Sequence, residues 1–166
     1  MKNKKYVWIA GWLCAFPLFA GAQQVQPLTD SYRLFKDGKE LFLRQDYAAA
    51  HQMLNQYVSD KQSVKDKDEA DYMLACTAYE LHLPDCISQL ETYLENHPES
   101  RYRNRVDALI GSAYFFEGKY GEAIALLKSC NFDALGEVDR EDCVFRLVES
   151  YMKIGNLEEA HAWFQV

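Results

Sequence analysis

Apolar residues recur along this chain at helical offsets. Between Tyr32 and Phe42 they stand at Leu34, Phe35, Leu41 and Phe42, and Ala108 to Phe116 keeps the same rhythm. That period predicts amphipathic α-helices throughout, an all-α chain. Proline falls at element edges: Pro27 before the first helix, Pro84 in a turn and Pro98 between helix pairs. Gly118 and Gly155 each follow one apolar helix and precede another, where a left-handed C-terminal residue is wanted. Thr29, Asp30 or Ser31 is expected to cap the first helix, and Asp139, with Asp142 three residues on, to open the helix through Cys143 to Lys153.

The helices repeat. Small residues stand at Ala50, Cys86, Ala123 and Ala160, separated by 36, 37 and 37 positions. Each follows a large side chain by three residues: Tyr47, Leu83, Tyr120 and Leu157. A fixed period of this length means stacked supersecondary units, each a helix, a short turn and a second helix. A lone helix pair is marginal in water, so the units must hide their apolar faces on one another.

The third unit carries Ile110-Gly111, Tyr114, Gly118, Tyr120, Ala123 and Leu127, and the fourth Tyr151, Gly155, Leu157, Ala160 and Phe164 with Val148 in the Gly place. The first supplies Gly38, Leu41, Tyr47, Ala50 and Leu54. The second departs most, with Leu81, Leu83, Cys86, Leu90, Tyr93 and Pro98 but Leu74 and Thr77 where Gly and Tyr are expected. These offsets resemble the tetratricopeptide repeat (TPR), whose pattern of about 34 residues places Gly, Tyr, Gly, Tyr, Ala and Pro in that order. The resemblance covers residues 31–166 in four units, about 31–64, 67–100, 104–137 and 141–166, the last incomplete. The run Leu90–Ser100 (LETYLENHPES) further resembles exported TPR proteins of the Gram-negative envelope, in which a helix ending YL..HP.S leads into the next unit.

The resemblance implies a right-handed superhelical solenoid of antiparallel helix pairs, following an N-terminal signal peptide. It places Gly38, Ala50, Cys86, Gly111, Ala123 and Ala160 at repeat-packing positions. It also implies a concave groove faced by the first helix of each unit. Its candidate residues are Tyr32, Phe35, Lys39 and Phe42, then Asp71, Ala75 and Tyr79. The third unit adds Arg105, Ser112, Phe115 and Phe116, and the fourth Phe145, Glu149 and Met152. One sub-family grips peptide carboxylates with basic side chains. Lys36 and Lys39 match the start of that clamp, but Asp68 and Asp71 stand where the second unit would need bases, which excludes it.

The N-terminus reads as a leader. Lys2, Lys4 and Lys5 precede the uncharged run Tyr6–Ala20, and Ala20-Gly21-Ala22 offers small residues to a signal peptidase. Residues 1–22 are therefore expected to be a cleavable signal peptide cut between Ala22 and Gln23, with 23–30 a short linker. A bilayer span needs about 20 apolar residues; this run is shorter and broken by Pro17, and Leu13 before Cys14 argues against lipid modification. The expected location is the periplasm or another exported site, with no membrane span after cleavage. Loss of three lysines takes the formal charge from −7 to −10, which excludes nucleic acid and anionic membranes as natural partners. Export would place Cys76, Cys86, Cys130 and Cys143 in an oxidising compartment, with Cys130 and Cys143 the candidate disulfide.

Chemistry is sparse. His51, His82, His97 and His161 form no i, i+4 pair, and HExxH, GxSxG and Gly-rich phosphate loops are absent from the sequence. No catalytic residue, metal site or cofactor is expected. The charged runs Ser59–Glu69 and Phe132–Glu141 read as solvated connectors. The function this predicts is a non-catalytic protein–protein interaction module or adaptor in the bacterial cell envelope, binding protein or peptide segments in its groove. The alternative is a structural scaffold or self-association segment of a longer repeat protein, any catalytic or anchoring domain lying elsewhere. The helix carrying Ala160 leaves Trp163 and Phe164 without a capping helix, so the sequence predicts a fragment, or an end that another molecule or self-association covers.

Overall fold

A computed structural model of the chain describes residues 26–60 and 66–165. The candidate signal peptide and its cleavage point lie outside the described residues. Within them the chain is all-helical and carries no strand. The helices are α1 (Gln26–Leu43), α2 (Tyr47–Ser59), α3 (Lys67–Glu80), α4 (Cys86–Asn96), α5 (Arg103–Phe116), α6 (Tyr120–Ser129), α7 (Glu137–Lys153) and α8 (Leu157–Phe164). A 3-10 turn, Phe132–Ala134, precedes α7.

All four helix pairs are joined by the same turn. At the end of α1, the amides of Gln45 and Asp46 donate to the carbonyls of Phe42 and Leu41. His82 and Leu83 donate likewise to Tyr79 and Ala78, Gly118 and Lys119 to Phe115 and Tyr114, and Gly155 and Asn156 to Met152 and Tyr151. This is the Schellman arrangement, which satisfies the last carbonyls of a helix and requires one left-handed residue. That residue is Gln45 (φ 62°), His82 (52°), Gly118 (75°) and Gly155 (78°). Two of the four turns thus hold their left-handed residue without glycine, at a cost of about 1–2 kcal/mol each. Gln45→Gly is accordingly expected to stabilise the chain by up to about 1 kcal/mol, and Gly118→Ala to destabilise it by about the same. A Cβ at Gly118 would meet nothing within 4 Å, so the loss would be one of backbone strain alone. Urea unfolding checks both; a Gly118→Ala midpoint equal to wild type would mean that the left-handed turn imposes no strain on a side chain there.

Each helix packs on the next, and the odd-numbered helices also pack on one another, α1 on α3, α3 on α5 and α5 on α7. One buried cluster joins α1 to α5 through Phe35, Leu54, Tyr72, Leu90 and Val106, and a second joins α5 to α8 through Leu127, Cys143, Leu147 and Ala160. Glycine permits close approach inside two pairs. A Cβ at Gly38 would lie 3.0 Å from Leu54 Cγ, and one at Gly111 only 2.8 Å from Leu127 Cγ and Cδ2. Ala50, Ala123 and Ala160 are buried, but Cys86 is only half-buried. It opens α4, whereas Ala50, Ala123 and Ala160 sit three residues inside their helices. Pro84, with no amide hydrogen, accompanies this late start.

Several boundaries differ from the sequence reading. α1 already includes Gln26, so Pro27 lies within its first described turn, and Thr29, Asp30 and Ser31 are helical rather than capping or linking. Proline is tolerated in a first helical turn, where its missing amide has no partner to lose. α7 begins at Glu137 behind Gly136, which puts Asp139 inside the helix, free to pair elsewhere. α3 begins at Lys67, so Asp68 and Glu69 are helical, not part of a solvated connector. The second unit, despite Leu74 and Thr77, keeps the common turn. Thr77 is fully buried, its hydroxyl donating to the Leu74 carbonyl (2.7 Å) and lying 2.9 Å from His51 Nδ1. Trp163 is half-buried against Phe132, at 5.6 Å between ring centroids, rather than exposed.

Candidate partner-binding groove

Because the odd-numbered helices pack side by side, their outward side chains form one strip. Two clefts lie along it. One, about 170 Å³, opens between α3, α5 and α7 and is walled by Tyr79, Glu80, Leu109, Ser112, Phe116 and Arg146. The other, about 440 Å³, opens between α1, α3 and α5 and is walled by Lys39, Phe42, Glu69, Tyr72 and Tyr102. Arg105 and Asp139 line both, so the clefts meet at that pair.

Arg105 ties three helices together. Its Nη1 donates to the Tyr72 hydroxyl at 2.6 Å, and its Nη2 to Asp139 Oδ1 at 3.4 Å. Nε lies 2.8 Å from Asp139 Oδ2, yet its N–H is not aimed at that oxygen and finds no hydrogen bond. The contact is an ion pair rather than the two-pronged fork that arginine and carboxylate favour. The Tyr72 ring stacks on Tyr102 at 3.9 Å and 4° between planes, and the Arg101 guanidinium lies 4.6 Å from the Tyr102 ring centroid. Burial pushes the Tyr72 hydroxyl well above its ordinary range, so it stays protonated and accepts from Arg105. At the other cleft, the Arg146 guanidinium lies 5.2 Å from the Phe116 ring centroid and 3.1 Å from Asp142. Glu80 is an exposed residue, yet partial burial of its carboxyl raises its pKa, with the Arg105 guanidinium opposing. The strip is therefore aromatic, with fixed charges of both signs.

Of the residues proposed from the sequence, Tyr79, Arg105, Ser112 and Phe116 come together in the first cleft, and Lys39 and Phe42 join Arg105 in the second. Lys39 is engaged there by Glu69 at 2.9 Å. Phe35 is buried against Tyr57, and Tyr32 stacks on Phe35. Ala75 is buried, and Phe115 turns edge-on to Tyr120 of its own pair. Phe145 and Met152 are exposed on α7, and neither they nor Glu149 lines either cleft. Asp71 faces away, into a shallow pocket with Val58, Gln89 and Asn96. Its Oδ2 lies 2.7 Å from His97 Nε2. Beside it, Asp68 accepts from the Tyr93 hydroxyl at 2.7 Å and from the Ser100 hydroxyl at 3.1 Å. The YL..HP.S run is thus a clasp that fastens the end of α4 to the start of α3. The sequence reading missed Glu80, Leu109, Asp139, Asp142 and Arg146. Leu109 and Arg146 stand 37 residues apart in matching places on α5 and α7, a signal the repeat spacing already contained.

Cys76, Cys130 and Cys143 are buried, and all four described cysteines are free thiols, so the Cys130–Cys143 disulfide is not formed in this structure. The Cys130 thiol turns back to the Leu126 carbonyl at 3.5 Å. Burial pushes Cys76 and Cys130 up to about 12 and Cys143 up to about 11. Native chain at pH 8 is expected to alkylate at Cys86, the half-buried thiol, with the other three modified only on unfolding. Peptide mass mapping after iodoacetamide reads this directly; equal labelling of Cys76 would contradict it. A raised folded-state pKa supports stability below the unfolded value and loses it as pH climbs to the folded value. Stability should therefore fall between about pH 9 and 12 as these thiols ionise more readily in the unfolded chain.

Among the described residues, no group of three or more His, Cys, Asp or Glu is placed to hold a metal ion. No described helix is long and apolar enough to cross a membrane. The chain matches no protein-family model and no curated protein.

Proposed function

We propose that this chain is an exported, non-catalytic adaptor of the TPR type, a right-handed solenoid that holds an extended or helical segment of another protein along α1, α3, α5 and α7. The observation that carries this reading is the repetition itself. Four identical helix-end turns at intervals of 37, 36 and 37 residues put equivalent faces of the odd helices side by side, with two clefts along them. A strip of aromatic rings flanked by paired charges suits apolar anchors with polar neighbours. Its recognition chemistry would be Phe116 and Phe42 taking apolar side chains, with Arg146 and Glu80 fixing polar groups beside them.

The envelope location rests on the leader reading of residues 1–22. It is tested by the N-terminal sequence of the protein recovered from periplasmic extract, expected to begin at Gln23. For the groove, the protein is cross-linked in envelope extract as wild type, as Phe116→Glu and as Glu95→Lys at an exposed position of α4. A partner lost only from Phe116→Glu supports the groove. Partners retained by Phe116→Glu would overturn it.

A further inference from the structure

Nearly all the charges along the strip are spent on one another. Lys39 holds Glu69 at 2.9 Å, Arg105 holds Asp139 at 2.8 Å and Arg146 holds Asp142 at 3.1 Å. Among the described residues that wall the two clefts, two formal charges are left without an ion pair: Arg101 in the larger cleft and Glu80 in the smaller. Their signs are opposite, so the groove is electrically polar along its length. Arg101 is a fixed base rather than a loose one. Its guanidinium donates to the Tyr102 hydroxyl, which donates in turn to Glu69 at 3.4 Å, and the Tyr102 ring is pinned against Tyr72. A side chain already held in place loses little freedom on binding. Glu80 ends α3 at the place where Leu43, 37 residues earlier, ends α1. Its carboxyl is partly desolvated beside Leu109 and Phe116, which strengthens any pairing made there. Leu43, 71% exposed, walls the larger cleft together with Phe42. Each cleft therefore offers an apolar wall and one unspent charge.

We propose that the groove selects a partner-protein segment carrying an acidic side chain for Arg101 and a basic one for Glu80, with apolar residues between them for Phe42 and Phe116. This rests on the groove reading above and adds the charge pattern of the segment and its direction. Charge complementarity carries the choice. A wholly basic segment would meet Arg101, and a wholly acidic one Glu80, each with a like charge. A wholly apolar segment would dehydrate both charges and pair neither. The right segment laid in reverse would bring like charges together at both clefts, so the two leftover residues also fix which way it runs. The three ion pairs between the strip's own side chains remain in place throughout, since none of them is needed to meet the segment.

The test selects a random dodecapeptide phage library on the full chain, with counter-selection on Phe116→Glu. The enriched peptides are then synthesised with fluorescein and titrated by anisotropy. They are expected to carry one acid and one base with apolar residues between. Glu80→Gln is expected to weaken them about five-fold and to remove the advantage of the base, and Arg101→Gln to do the same for the acid. Glu80→Lys should bind a peptide whose base is replaced by glutamate more tightly than it binds the original. Glu80 and Arg101 are both exposed, so these variants keep their helical circular dichroism. Peptides that need Phe116 but bind Glu80→Gln and Arg101→Gln as tightly as wild type leave the groove standing and overturn its charge pattern. If no peptide distinguishes wild type from Phe116→Glu, the groove and the charge pattern both fall. A concentration-dependent dimer in sedimentation that Glu80→Gln abolishes also overturns the proposal, because the segment would then belong to a second copy.

Discussion

Gly111→Ala is expected to destabilise the chain by about 1–3 kcal/mol, the sum of a clash and a smaller gain in helix propensity. The added methyl would lie 2.8 Å from both Cγ and Cδ2 of Leu127, closer than real Cβ contacts come, and Leu127 is fully buried with no room to swing away. A mid-helix Gly→Ala change alone would return about 1 kcal/mol, so a net loss isolates the steric term. Gly38→Ala, where the nearest carbon would be at 3.0 Å, should lose less. Urea midpoints of the two variants measure the difference. A Gly111→Ala chain as stable as wild type would mean that α5 and α6 are not held at the separation described. Combining Gly111→Ala with Leu127→Ala should cost less than the two singly, because the new methyl occupies part of the space that the leucine vacates.

The second large effect belongs to the leucine column. Leu90→Ala is expected to cost about 3–5 kcal/mol, the lost transfer energy plus a cavity that α3, α4 and α5 are too well tied to close. Phe164→Ala, at the same repeat place but open to solvent, is expected to change stability by no more than about 0.5 kcal/mol. Side chains related by the repeat would then differ severalfold in effect, because Leu90 is fully buried and Phe164 is exposed. Thermal unfolding distinguishes them readily, as each kcal/mol is worth about 2–4 °C for a chain of this size. A Phe164→Ala loss comparable with that of Leu90→Ala would mean that the α7/α8 face is already covered in the isolated chain.

What the sequence made legible was whatever depends on one helix at a time. The apolar rhythm of Tyr32–Phe42 and Ala108–Phe116, and the left-handed glycines at Gly118 and Gly155, all concern local backbone. The equivalent turns at Gln45 and His82 were hidden because their residue types carry no left-handed signature; the hydrogen-bond pattern alone reveals them. The groove was only partly legible. Asp71 stands one helix face away from the cleft, and its carboxylate serves His97 instead. Arg105 holds a groove-facing repeat position that the sequence shows, but its role depends on partners 33 and 34 residues distant on two other helices. Long-range pairs of that kind leave no local pattern to read.

The charged outer side of α1 limits what a chain like this can build. An interface that differs at its two ends grows into an open filament when each end accepts the other, and stops when one end is blunt. Arg33 holds on α1 the place of buried Ala70 and Val106, and with Asp37 and Glu40 it is exposed, so a helix pair laid against that side would have to bury three charges. That side of α1 is therefore a poor seat for a second copy.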